Sequence, residues 1–520
     1  MSYKDLTVEQ KIGRVLCARI VSTTTENYEY TLELLRRGAC SVVQVRVDEN
    51  APEKIKQLRA AAKHPILIIN DMEQGYLPSG RQSVPLLSLA ACDNPEYTRA
   101  FAAALASDAK AAGFSGCWGP VVDILHCDGP VSVSRRAGDS PEGVLKMTRE
   151  IASVFKSYNF QSTAKHYPGG AHPLDTHMVE GVSDLTEEEL LNFDLVPYLK
   201  LNEEGLMPSV MTAHMVFRKI DPDNPASLSK KVIDIIRNKG YDGVIYTDSL
   251  AMMGILQKYG EKIAMAKALM AGNDVILPNY RTSTKDIYEM MLECYREGLI
   301  TDEALDEANR RIEILAEQCA QIPENPEKVP ENIDEILASI ARDSITAECQ
   351  SGTSCTLNPD DRILFIVIRH GASGTEIENE ITFGKWYSTS RVIDAIKANF
   401  PNSEATTIAE FPECYENERV LNMATKFDKV VFVTYCGTNA YTGTDGLTRR
   451  IEAVITCLSL SGKVEAIVHF GNPLALANIP KLPRRIFGYM APQSQQYAFE
   501  VLAGKIEAKG KNPFPRLMKN

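Results

Sequence analysis

An alternation constrains this chain more than any other feature. Over the first 320 residues, eight short apolar, β-rich runs are separated by longer stretches with helical patterning. The runs are CARIV (17–21), SVVQVRV (41–47), ILIIN (66–70), PVVDI (120–124), STAKHY (162–167), SVMTAHM (209–215), GVIYTD (243–248) and NDVIL (273–277). Among the helical stretches, TLELLRRG (31–38) ends in a capping Gly38. LTEEELLNFDLVPYLKL (185–201) carries acids near its start, and SKKVIDIIRNKG runs from Ser229 to Gly240. Strands that alternate with helices make βαβ units and a parallel sheet. Eight of them fit a (β/α)8 TIM-type barrel, and an open doubly wound sheet shares the same periodicity.

QIPENPEKVPEN (321–332) is rich in proline and glutamate and reads as a solvated linker. Beyond it RILFIVI (362–368), KVVFVTY (429–435), EAIVHF (465–470) and RRIFGY (484–489) mark a second α/β pattern. Helices such as STSRVIDAIKANF (388–400) lie between them. The expected division is a barrel at 1–320, a linker at 321–356 and a smaller α/β sandwich domain at 357–520.

The formal net charge of −12 excludes a general nucleic-acid or anionic-membrane binder, which needs a basic surface. No apolar stretch approaches the ~20 residues of a spanning helix. The first residues, MSYKDLTVEQKIGRVL, hold no apolar signal core, so the expected location is the cytoplasm. The twelve cysteines include no CxxC pair and read as reduced, mostly buried thiols. GTNAYTGTDG (437–446) is rich in Gly and Thr but has no P-loop pattern, so no nucleotide site is assigned.

In an α/β barrel, functional side chains gather at the C-terminal ends of the strands. Asp71 and Glu73 follow ILIIN, Asp123 lies near the end of PVVDI, and Lys165 and His166 end STAKHY. His214 ends SVMTAHM and Asp248 ends GVIYTD. One such aspartate is readily a helix cap; a whole set is harder to explain that way. Asp248 itself reads either as a cap or as a nucleophile. The loop KHYPGGAHPLDTHMVEG (165–181) holds His166, His172 and His177, three of the chain's eight histidines, with Asp175 two residues before His177. The spacing leaves three readings open: a metal site, an Asp175–His177 acid/base dyad, or a polar loop with incidental histidines. Arg135 and Arg136, in SVSRRAGDSPEG (132–143), are a solvated pair or a clamp on a substrate hydroxyl or carboxylate.

Taken together, these segments resemble glycoside hydrolase family 3, in its β-N-acetylglucosaminidase branch. The collinear pieces are LTVEQKIGRVL (6–16), DMEQG (71–75), GPVVDI (119–124), R-x-x-G-x-x-P (135–141), KHYPGG (165–170), D-T-H (175–177), MTAH (211–214), DPDNPASLS (221–229) and TDSLAMMG (247–254). AGNDVIL (271–277) and FGNP (470–473) follow. The resemblance implies a (β/α)8-type barrel followed by an α/β sandwich domain, and a retaining exo-β-N-acetylglucosaminidase. In it Asp248 matches the attacking aspartate, and His177 oriented by Asp175 matches the acid/base dyad. Asp71, Arg135, Lys165 and His166 match residues that hold the terminal sugar. The expected partner is a small saccharide, with no metal, cofactor, nucleic acid or membrane; a homodimer stays open. The alternatives are a phosphorylase or β-glucosidase of the same family, a metallohydrolase using His166, His172, Asp175 and His177, and a non-catalytic sugar binder. Two departures mark the sugar end of the pocket. Gln74 stands where the family has a glycine, and Gly170 stands where it has a loop histidine, with His172 nearby.

Overall fold

Parallel pairing closes the first part of the chain on itself. Strands β1 (Cys17–Ile20), β2 (Val42–Val45), β3 (Leu67–Asn70) and β4 (Gly116–Cys117) pair in that order. Strands β5 (Thr163–Tyr167), β7 (Ser209–Thr212) and β9 (Val244–Thr247) form a second parallel set. A short parallel pair, β6 (Gly181–Ser183) with β8 (Met215–Phe217), stands beside them. Single bridges join the two sets. Gly116 pairs with Gln161 on one side; on the other, Tyr246 pairs with Val275 and Leu16 with Ile276. The eight staves therefore form a ring, as the alternation predicts, and the open-sheet alternative falls. The computed structural model describes residues 3–20, 25–127, 133–170, 175–372, 387–436 and 446–518.

The chain divides into two units. The first holds Met1–Gln82, Thr98–His126 and Ala137–Ile333, and the second Ser83–Tyr97, Cys127–Arg136 and Asp334–Asn520. In the second, a six-stranded sheet has the order β10-β15-β14-β13-β11-β12. Its strands are β10 (Thr346–Cys349), β11 (Ile363–Ala372), β12 (Glu404–Phe411), β13 (Lys429–Cys436), β14 (Val464–Gly471) and β15 (Arg484–Gly488). All pairs are parallel except β10 with β15. The four predicted apolar runs are its central strands. The two edges, β10 (TAEC) and β12 (EATTIAEF), mix polar with apolar residues and show no apolar run.

Four expectations change. The fourth stave is Gly116–Cys117 and not 120–124: Pro120 has no N–H to give a ladder, and Val121 makes only one bridge, to Lys165. The stretch 185–201 is two helices, Glu187–Asn192 and Val196–Glu203. Thr186 and Glu189 cap the first reciprocally, and Pro197, in the first turn of the second, cannot continue a helix from before it. Within the expected linker 321–356, Ile333–Asp343 is helical and Thr346–Cys349 is β10. Finally, Cys349 and Cys355 form a disulfide with their Cα atoms 5.6 Å apart. The intervening turn, with Thr353 N–H donating to the Gln350 carbonyl, sets a distance that no cysteine motif signals. The reading of all twelve cysteines as reduced thiols is thus corrected at Cys349 and Cys355; the other ten are thiols. Among the described residues, no helix is long and apolar enough to cross a membrane. The loop 437–445 lies outside the described residues.

Gly471 ends β14 with φ at +104°, and a Cβ there would lie against the Cys436 carbonyl oxygen. Gly462 has φ at +71° with open space around it. Gly471→Ala is expected to destabilise the chain by about 1–3 kcal/mol more than Gly462→Ala, because only the former adds overpacking to backbone strain. Thermal denaturation of the two variants measures the difference; equal losses would contradict the close approach.

Candidate active site

Four stave ends build the centre of the site. β3 runs into Asp71 and Glu73, whose carboxylates each sit 2.6 Å from the Lys165 ammonium on β5. The Lys165 side chain is only 2% exposed, whereas Asp71 is 57% exposed and faces the open mouth. A buried ammonium needs such partners, because an isolated charge in a low-dielectric interior is costly. The next residue, His166, gives its backbone N–H to Asp123 Oδ1, and its Nδ1 lies 2.8 Å from Asp123 Oδ2. A carboxylate only accepts, so Nδ1 carries the proton in that contact. Nε2 is left facing Asp248, 4.0 Å from Oδ2.

Asp248 directly follows β9. Its N–H donates to the Thr212 carbonyl, and its Oδ1 accepts the Ser249 N–H at 2.6 Å. Burial pushes the carboxyl up, but the His166 and His214 imidazoles, the Ser249 N–H and the His177 imidazole outweigh it. Together they hold the group down at about 2. Asp248 is therefore an anion at neutral pH with one oxygen turned to the pocket. His214 is buried between Ser227 Oγ (2.7 Å from Nδ1) and the Ser249 carbonyl (3.0 Å from Nε2). That carbonyl can only accept, so Nε2 carries a proton; burial lowers the basicity of the ring, against the pull of the Asp248 carboxylate.

The loop after β5 brings in the second pair. Gly169 has φ at +85°, and a Cβ on it would meet the Asp194 side chain at 3.1 Å. Asp194 Oδ1 also accepts the Gly170 N–H at 2.9 Å, so this carboxylate fixes where the loop leaves the strand. Further on, Asp175 Oδ1 accepts both the His177 N–H (2.9 Å) and the ring Nδ1 (2.8 Å). Asp175 is buried, whereas the His177 side chain is 31% exposed. The ring is thus held by its inner nitrogen and presents Nε2 outward. The His177 carbonyl accepts the Met253 N–H, which ties this loop to the helix after Asp248. This geometry can supply an anion, a held imidazole and a buried ammonium with one carboxylate partner exposed to solvent.

Asp71, Lys165, His166, Asp175, His177 and Asp248 are thus all at one end of the barrel. Arg135 is in the turn Val133–Arg135, within the Cys127–Arg136 segment that is grouped with the second unit. His172 lies outside the described residues. Among those described, no three His, Cys, Asp or Glu side chains are placed to hold a metal ion together. Sequence reasoning assigned no role to Glu73, Asp123 or Arg19. The one available signal for Arg19 was a charged residue inside the first apolar run.

Comparison with known proteins matches residues 7–315 to the glycosyl hydrolase family 3 N-terminal domain. The chain belongs to glycoside hydrolase family 3. A β-N-acetylglucosaminidase/β-glucosidase of Cellulomonas fimi is 25% identical over 321 residues, which cover 58% of this chain and 56% of that protein. This family 3 chain therefore spans little more than half the length of that relative. A β-hexosaminidase of Xanthomonas axonopodis pv. citri is 32% identical over 257 residues, covering 47% of this chain and 74% of its own. Among solved structures, a family 3 β-N-acetylglucosaminidase from Paenibacillus sp. str. FPU-7 superposes with a TM-score of 0.80 at 24% identity. It covers 99% of this chain and 100% of that one. A β-glucoside phosphorylase reaches the same TM-score at 20% identity, covering 98% and 95%. At these identities the structures show the shared two-part fold.

The depressed Asp248 carboxyl carries a pH signature. Its ionised form stabilises the folded chain above the ordinary carboxylate range, and that contribution fades as pH falls from about 4 to about 2. The stability difference between the chain and its Asp248→Asn variant is expected to change within that window. Denaturation midpoints taken from about pH 6 downward measure it, and a difference independent of pH would contradict the low value.

Proposed function

We propose that the chain is a retaining exo-β-N-acetylglucosaminidase that removes terminal N-acetylglucosamine from β-linked oligosaccharides or cell-wall fragments. The observation that carries this reading is the pairing of an ionised Asp248 with a His177 held by Asp175 through Nδ1. A retaining glycosidase needs a nucleophile on one side of the anomeric carbon and a proton donor on the other. Asp248 attacks, and His177 Nε2 gives its proton to the departing oxygen. A covalent glycosyl-aspartate forms. His177, now neutral, takes a proton from water, which attacks the same carbon and releases the sugar with its configuration kept. Asp71, Arg135, Lys165 and His166 hold the sugar hydroxyls. Asp175 keeps the imidazole in the tautomer and orientation that aim Nε2 outward.

The relatives named β-N-acetylglucosaminidase or β-hexosaminidase support the choice of sugar. The acid/base group favours a second acceptor as well. A neutral imidazole repels an incoming anion less than a carboxylate base would, so phosphate can compete with water. A structural neighbour named as a β-glucoside phosphorylase supports testing this.

Asp248→Ala is expected to abolish turnover of an aryl β-N-acetylglucosaminide, and near-normal turnover would remove the nucleophile assignment. His177→Ala is expected to lose about 10²–10⁴-fold on substrates with poor leaving groups and far less on activated aryl glycosides, since only the former need the proton. Equal losses would count against the acid role. Product analysis by NMR, with and without phosphate, should give the β anomer; release of sugar 1-phosphate would identify a phosphorylase, and inversion would end the covalent mechanism.

A further inference from the structure

Arg19 is the one charged residue of β1, and it sits among groups that the reaction uses without touching the proposed sugar contacts. Its Nη1 donates to Ser249 Oγ at 2.6 Å and to the Pro278 carbonyl at 2.9 Å, and its Nε donates to Gln44 Oε1 at 2.7 Å. Gln44 in turn donates to Asn70 Oδ1 at 3.0 Å, and the same oxygen accepts the Asp71 N–H at 2.8 Å. The guanidinium also stacks on Tyr280, with its carbon 5.0 Å from the ring centre. A planar group with donors aimed at three fixed acceptors and one face on an aromatic ring has little freedom left.

Ser249 makes this rigidity matter. Its N–H donates to Asp248 Oδ1, its carbonyl accepts from His214 Nε2, and its hydroxyl accepts from Arg19. The residue next to the nucleophile is thus held at three points: one on the carboxylate itself, one through a buried histidine and one through a cation from the opposite end of the barrel sequence. A chain turn with Ser249 free to rotate would let the Asp248 carboxylate swing away from the pocket.

We propose that Arg19 is a positioning residue for the Asp248 carboxylate, acting through Ser249. The inference rests on Asp248 being the nucleophile. It predicts that removing either end of the Arg19–Ser249 contact slows attack on the anomeric carbon without weakening the hold on the sugar. The two removals then report one interaction and not two.

The test is a double-mutant cycle of Arg19→Met, Ser249→Ala and their combination, with Arg19→Lys as the conservative variant. Each single change is expected to lower kcat/KM on an aryl β-N-acetylglucosaminide by about 10- to 100-fold, the scale of a misplaced reacting group. Inhibition by free N-acetylglucosamine, which needs no nucleophile, should stay unchanged in Ser249→Ala, which leaves the Gln44–Asn70–Asp71 chain intact. The double variant should fall no further than the worse single, and Arg19→Lys, which keeps a cationic donor without the planar fork, should lie between. Losses that multiply, a matching loss of inhibitor affinity, or full activity in Ser249→Ala would each overturn the proposal. Should Arg19→Met fail to fold, Ser249→Ala with the inhibitor control still decides it. Failure of the functional reading looks different: there Asp248→Ala keeps its turnover, or the unaltered chain turns over no N-acetylglucosaminide.

Discussion

The closure of the barrel is the constraint from which the site follows. The ring is completed by short links: Ile276 N–H to the Val15 carbonyl, Cys17 N–H to the Ile276 carbonyl and Thr247 N–H to the Val275 carbonyl. These bonds set the first strand beside the last. Arg19 consequently reaches Ser249, 230 residues away in sequence, and Pro278, 259 away. The staves span only two to five residues. Few positions are therefore available inside each, and the ionisable groups collect at the ends, where loops leave the sheet.

Two aspartates near the same strand show how environment separates structure from chemistry. Asp274, at the start of the eighth stave, accepts from Arg237 at 2.7 Å, from Arg311 at 3.0 Å and from the Ile245 N–H. Both its oxygens are engaged, and burial raises its carboxyl despite the two arginines. Asp248, at the other end of β9, is held low and keeps one oxygen toward the pocket. The first ties two helices and two staves together; the second is available for reaction. Lys165 resembles Asp274 in being fully enclosed, but one of its partners, Asp71, is open to the mouth, so it serves both the fold and the sugar pocket.

Much of this was legible before any coordinates. The apolar runs, the start of a helix at Ser229, and the ionisable residues at strand ends all follow from local chemistry, which a short window of sequence carries. Where reading failed, the deciding physics was not local. Pro120 moved the fourth strand because a ladder donor was missing, Pro197 split a helix whose periodicity was continuous, and β12 is stabilised by a neighbour and not by its own apolar pattern. Cys349 and Cys355 carry no motif; a turn brings them together.

By itself the sequence determined which side chains can do chemistry and at which ends of which strands they fall, because strand period and turn residues are local properties. Only the tertiary structure decided what each one faces. It paired His166 with Asp123 and His177 with Asp175, set Lys165 between Asp71 and Glu73, and brought Arg19 to Ser249. The reason is that tautomer, ionisation and orientation depend on partners a few ångströms away in space, and ring closure draws those partners from the whole length of the barrel.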